Sequence, residues 1–217
     1  MPRPTLTIEA LVAEARNFAA MQSALPVPEL FGVTDGKAVG THVEKAFKAY
    51  LSKKYLFQEG NSAKGIDFPE LDIDVKVTSV DQPQSSSPFK SARQKIFGLG
   101  YALLVFVYDK KDEAGAATLD IVHTIFVEPS RTGDFQMTTG LKKILDNEGN
   151  AEDLVAFMRD KNLPVDDIEA NNIARDLLNA GTLQIGYLTI SNALQWRLQY
   201  SRAISKAGEV PGITRVR

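Results

Sequence analysis

The chain has 217 residues, 44% of them hydrophobic and 24% charged, a balance that buries a core and excludes a disordered chain. It has no cysteine, which excludes disulfide frameworks, thiolate zinc sites and cysteine nucleophiles, so any metal chemistry must use oxygen ligands. The net charge of -2 supplies no general attraction for nucleic acid, but charge is unevenly spread. From Ser191 to Arg217 five bases (Arg197, Arg202, Lys206, Arg215, Arg217) face one acid, Glu209, whereas residues 151–180 hold seven acids and three bases. The tail has the composition of a segment that follows a phosphate backbone, or of a solvated surface.

In chain order, the first residues read as an amphipathic helix carrying Glu9, Glu14 and Arg16 rather than the apolar stretch of a signal peptide. No transmembrane run follows, so a cytoplasmic location is expected. Two prolines and Asp35-Gly36 mark residues 24–40 as a loop. A helix with Thr41 as N-cap is expected next. In it Val43, Ala46, Phe47, Tyr50, Leu51 and Leu56 recur at helical spacing and leave Lys45, Lys48, Lys53 and Lys54 toward solvent.

In the following segment Ile73, Val75 and Val77 alternate with Asp72, Asp74, Lys76 and Thr78, the period of a strand with one apolar and one charged face. Ile66 and Asp67 precede a proline turn, which predicts a hairpin that brings Asp67 near Asp74. A polar, Ser- and Pro-rich loop spans 81–90, and a helix that stops at Gly98 follows. The apolar runs 101–109 and 118–129 read as buried central strands. From Gly133 onward the pattern is mostly helical, including 191–207, with a strand expected in 182–190. A single domain over 1–217 is expected, with a catalytic core at about 38–130 and a helical portion at about 133–217.

Cutting a phosphodiester needs an activated water, neutralisation of charge on the phosphorus oxygens and stabilisation of the departing 3′ oxygen, and carboxylates holding Mg2+ meet these needs. Asp67 and Asp74 are the candidate bridging ligands, Glu44 the candidate that completes the shell from the preceding helix, and Lys76 the cation beside the attacking water. Repeated Asp on one strand face concentrates like charge at a cost unless a cation collects it. The two histidines, His42 and His123, are too few and too separated for histidine-based or zinc-based cleavage.

The segment from Gly65 to Lys76, GIDFPELDIDVK, resembles the active-site hairpin of the PD-(D/E)xK nuclease superfamily, with Glu44 similar to that superfamily's helix-borne acid. The resemblance covers about residues 40–108, where the order of hairpin, helix and apolar strand also agrees. Ile66 stands where the family name has Pro, and Asp74 where Glu is at least as common. The resemblance implies an α/β fold, a central mixed β-sheet flanked by helices, followed by a mostly helical C-terminal part. It further implies catalysis by Glu44, Asp67, Asp74 and Lys76 with Mg2+, for which Mn2+ would substitute.

A stand-alone chain of this size most resembles a type II restriction endonuclease, acting as a homodimer on double-stranded DNA. Candidates for DNA contact are Gln82, Gln84, Ser87, Lys90, Arg93 and Gln94, then Asn192, Gln195, Arg197 and Arg202, while Trp196 and Tyr200 suit packing. Alternatives are a repair or recombination nuclease with little sequence preference, or a DNA-binding relative without turnover.

Overall fold

The computed structural model describes residues 3–58, 60, 65–87, 90–192 and 196–217. These cluster into two compact units, one built from 1–85, 102–127 and 206–217, the other from 86–101 and 128–205. Among the described residues no helix is long and apolar enough to cross a membrane.

The first unit is a mixed sheet with two helices. Helix α1 (Ile8–Ser23) starts at Thr7, whose hydroxyl accepts the Ala10 N–H, and buries Leu11, Ala15, Phe18 and Ala19 at spacings of three and four. Helix α2 (Gly36–Ser52) buries Val39, Val43, Phe47 and Leu51, a strict four-residue stripe. The sheet runs β1 (Pro26–Val27), β5 (Ala116–Val127), β4 (Ala102–Glu113), β2 (Ile73–Ser79), and β8 (Ile213–Arg215) also pairs with β5. Strands β2 and β4 are parallel, with Asp74 opposite Leu103 and Lys76 opposite Val105, while β4 and β5 form an antiparallel hairpin. The sheet is therefore mixed, as the family resemblance implies, and the two apolar runs are its central strands.

Four phenylalanines tie the layers together. Phe47 of α2 lies 5.0 Å from Phe18 of α1, 5.1 Å from Phe106 of β4 and 6.4 Å from Phe68, centroid to centroid, and all four rings are buried. A second tie is Glu14 of α1, which binds Lys54 at 2.8 Å and the Tyr50 hydroxyl at 2.5 Å. Burial pushes this carboxyl up, but hydrogen bonds from Lys54, Tyr50 and Asn17 outweigh it and bring the pKa down to about 2.

The second unit packs α3 (Gln94–Phe97), α4 (Phe135–Asp146), α5 (Ala151–Asp160) and α6 (Asp167–Ala180) around Ile96, Met137, Leu141, Leu154, Met158, Ile173 and Leu177. Its small sheet has the order β3 (Gln84–Ser87), β7 (Trp196–Gln199), β6 (Thr189–Ile190), and α7 (Ser201–Lys206) follows. Asp134 caps α4 through the Met137 N–H and accepts the Ile190 N–H with its other oxygen, which fastens β6 to the helix start.

Three expectations are corrected. Helix α2 begins at Gly36, capped by Asp35 through the Lys37 N–H, and not at Thr41; the Asp-Gly pair that reads as a turn is a cap and first helical residue. Residues 196–199 form a strand rather than a helix, with Trp196 and Leu198 buried and Arg197 and Gln199 exposed, a period of two. Asp72 is not on the strand face: it is exposed in the turn before β2, with φ of 52°.

Because Phe47 fixes α2 against both α1 and the sheet, Phe47→Ala is expected to cost about 3–5 kcal/mol of stability in urea unfolding. A loss below about 1 kcal/mol would show that the helix is held by other contacts.

Candidate active site

The site is assembled by three local structures of the first unit. The first is a hairpin. Phe68 and Ile73 exchange both backbone hydrogen bonds (2.9 and 3.2 Å), and the Phe68 carbonyl also accepts the Leu71 N–H, with Pro69 supplying the fixed φ that starts the turn. Asp72 closes the turn in the left-handed region, which a short polar side chain tolerates. Asp67, one residue before the paired Phe68, accepts the Val75 N–H on Oδ2 at 2.9 Å. Its backbone is pinned from behind by Gly60, whose N–H binds the Asp67 carbonyl at 2.9 Å and where a Cβ would fall 1.8 Å from the Ile66 carbonyl oxygen.

The second is β2. Its parallel pairing with β4 leaves Asp74 only 3% exposed, and Lys76, two residues on and on the same face, reaches back to Asp74 Oδ2 at 2.7 Å. The third is α2. Glu44 and Lys48 each follow a buried residue of the stripe, Val43 and Phe47, so they lie on the edge of the packed face. One turn apart, they pair at 2.9 Å, and Lys48 also reaches Asp67 Oδ1 at 2.5 Å.

The structure thus brings together all four residues singled out in the sequence. It adds two partners that sequence reasoning missed. Lys48, read as solvent-facing, has a side chain only 15% exposed and bridges two of the acids. The signal was present in its place four residues after Glu44. The Val75 N–H that orients Asp67 carries no sequence signal.

The electrostatics follow from three acids with Asp67 at their centre, between Glu44 and Asp74. Burial pushes the Asp74 carboxyl up to about 7, with Asp67 adding to the rise and the Lys76 ammonium opposing it. Glu44 is likewise raised, by burial and then by Asp67, against the pull of Lys48. Burial also raises Asp67, but the hydrogen bonds it receives from Glu44, Lys48, Asp74 and the Val75 N–H outweigh this, and its net shift is downward. The outer acids are thus shifted toward their protonated forms and the central Asp67 toward its charged form, the pattern of acids gathered with too little positive charge.

Among the described residues no three acids or histidines converge as a ready-formed metal cage. The donor set nevertheless fits a hard divalent cation. It offers only carboxylate oxygens, and its central acid lies within hydrogen-bonding reach of both neighbours.

The candidates for DNA contact are differently placed. Gln82, Lys90, Arg197 and Arg202 are exposed, and Gln84 is half-buried. Backbone groups of Gln82 and Gln84 gather on the Thr78 hydroxyl, which accepts the Gln84 N–H at 2.9 Å. Ser87 is buried. The Arg93 guanidinium pairs with Glu169 at 3.1 Å and with Asp176. Gln94 donates to the Leu99 carbonyl at 3.0 Å. Arg202 stacks on Phe135 at 3.8 Å, and Asn192 accepts from the buried Lys95. Gln195 lies outside the described residues. Trp196 and Tyr200 are fully buried.

A mixed sheet flanked by helices, with a hairpin Asp, a strand Asp-x-Lys and a helix-borne Glu gathered at its β2 edge, defines a restriction-endonuclease-like nuclease. The family model of the type II restriction enzyme NspV matches residues 5–215, and this chain belongs to that family of restriction endonucleases. The type II restriction enzyme NspV of Nostoc sp. (strain ATCC 29411 / PCC 7524) is 63% identical over 213 residues, covering 97% of this chain and 96% of that one. No solved structure matches.

The raised Asp74 carboxyl gives a pH dependence whose sign is fixed. Folded, it keeps its proton to about pH 7; unfolded, it loses it near pH 4. Between the two the folded state binds the extra proton, so Asp74 costs stability as pH rises through this window. In chelator, urea unfolding of the wild type is expected to lose roughly 2–3 kcal/mol between pH 5 and pH 8 relative to Asp74→Asn. A difference equal at the two pH values would mean that Asp74 is ionised throughout.

Proposed function

We propose that this site-specific endonuclease hydrolyses both strands of double-stranded DNA by attack of water, with Glu44, Asp67 and Asp74 holding Mg2+ and Lys76 as the catalytic cation. The observation that carries the reading is the Asp67 hydrogen bond to the Val75 N–H, which sets a second carboxylate beside the buried Asp74. Mg2+, when bound, supplies a water of lowered pKa and neutralises charge on the phosphate.

The chain's own residues do the rest. Asp67 is held by backbone on both sides and so presents its carboxylate without rotamer freedom. Asp74, buried on the edge strand β2, sits in low dielectric, where charges act strongly on a phosphate. Lys76 shares its face, and its ammonium stands where it can orient the water and bind the developing oxyanion. Mn2+ would replace Mg2+, while Ca2+, with a larger and looser shell, would support binding with little cutting.

Recognition falls to the polar segment 82–94 and to Arg197 and Arg202. Gln82, Gln84, Lys90, Arg197 and Arg202 have side chains at least partly accessible to base edges or phosphates. Arg93, Gln94 and Ser87 contact DNA only by giving up the interactions that now hold them. A protein that cuts two antiparallel strands at one site is served by two-fold symmetry, so the active form is a homodimer.

On plasmid DNA the wild type is expected to give discrete bands with Mg2+ and none with EDTA. A smear or a nicked product would instead indicate a repair-type nuclease. Asp74→Ala and Lys76→Ala should each lower cleavage by about three orders of magnitude or more, because groups acting as one unit fail together. Asp72→Ala, whose side chain is exposed in the turn, should retain most activity. An active Asp74→Ala beside a dead Asp72→Ala would move the catalytic register two residues upstream.

Sedimentation at micromolar concentration, with and without DNA, is expected to show a dimer. A monomer under both conditions would remove the two-fold argument.

A further inference from the structure

Lys48 is a half-buried charge at the site to which the proposed chemistry gives no role. Its ammonium donates to Glu44 Oε1 at 2.9 Å and to Asp67 Oδ1 at 2.5 Å, joining the acid of the helix to the acid of the hairpin. Lys76 serves the third acid, Asp74, at 2.7 Å. The two lysines thus divide the three carboxylates between them, one on the strand and one spanning the gap between elements.

We propose that Lys48 is a resident counter-cation of the metal site: it holds Glu44 and Asp67 in place while no divalent ion is bound and must withdraw for one to bridge them. This rests on the metal reading above. An ammonium within hydrogen-bond distance of both acids occupies the space where an ion shared by them would sit. A divalent ion a few ångströms from it would be repelled more strongly than any surface lysine could manage, because the surroundings are partly buried. Without Lys48 the carboxylates would repel each other and draw apart. With it they stay close, and the pocket is shaped but closed to metal. The long flexible stem of lysine allows the head to leave without moving the helix, which a short or rigid cation would not.

Placement on α2 makes this specific. Lys45, three residues earlier, is exposed, so it carries the same charge on the same helix without touching either acid. It is the control for charge acting at a distance.

The test is Mn2+ binding to the full chain without DNA, followed through the spectrum of free Mn2+ in electron paramagnetic resonance. Lys48→Gln, which keeps a hydrogen-bond donor on a stem one atom shorter but not the charge, is expected to bind Mn2+ at least about fivefold more tightly than wild type. Lys48→Arg, whose planar fork would grip both carboxylates, should bind Mn2+ no more tightly than wild type, and Lys45→Gln should stay within about twofold. Unchanged or weaker binding by Lys48→Gln overturns the proposal, and so does equal tightening by Lys45→Gln.

Asp74→Ala separates this from the reading beneath it: if it binds Mn2+ as wild type does, the metal assignment fails, whatever Lys48 does. The melting midpoint in chelator is the second measure. Lys48→Gln should melt earlier than wild type in EDTA and regain the difference when Mn2+ is added. If the variant is unfolded in EDTA, refolding by Mn2+ but not by K+ supports the role, and failure to refold with Mn2+ overturns it.

Discussion

The hydrogen bond from the Val75 N–H to Asp67 is the constraint on which the site depends, because it forces two carboxylates into company that electrostatics disfavours. A backbone donor cannot rotate away, and Gly60 blocks retreat on the other side. Everything around the pair answers the resulting concentration of charge. Asp74 and Glu44 are pushed toward their protonated forms, and Lys48 and Lys76 each bind an acid. A structure selected for stability alone would place a neutral residue at one of these positions, which is the usual mark of a working site.

The aromatic cluster serves the same end at longer range. Phe47 belongs to the helix that carries Glu44 and Lys48, Phe106 to the strand paired with β2, and Phe68 to the hairpin that carries Asp67. Each element that contributes a charged group therefore also contributes to, or lies beside, one apolar contact. Side chains set in a dense core transmit small errors poorly tolerated by catalysis, so precision of the acids is inherited from the packing behind them.

Much of this was legible in the sequence. The alternation of Ile73, Val75 and Val77 with Asp74 and Lys76, and the proline after Asp67 and Phe68, sufficed to place the hairpin and its acids. The continuous apolar runs marked β4 and β5. The failures share a cause. Asp35-Gly36 suits a turn and a helix start equally, and tertiary packing, with Gly40 close against Val77, decides for the helix. Trp196 to Gln199 is too short for its period to be distinguished from a helix. Asp72 continues the alternation in letters but not in space, because the turn ends in a left-handed residue. Lys48 points inward only because α2 lies against β2 as it does, a fact about neighbours that no local pattern encodes.

The strand β5 has a consequence for biosynthesis. Its outer side is completed by β1 at one end and by β8 at the other, and Val216, just beyond β8, is buried in the core of the first unit. Residues 128–205 of the second unit lie between β5 and β8 along the chain. A ribosome that has delivered every proposed catalytic residue by position 76 must therefore release another 137 or more before β8 reaches its partner. From the completion of β5 until β8 emerges, the nascent nuclease carries an open sheet edge, which β8 then covers.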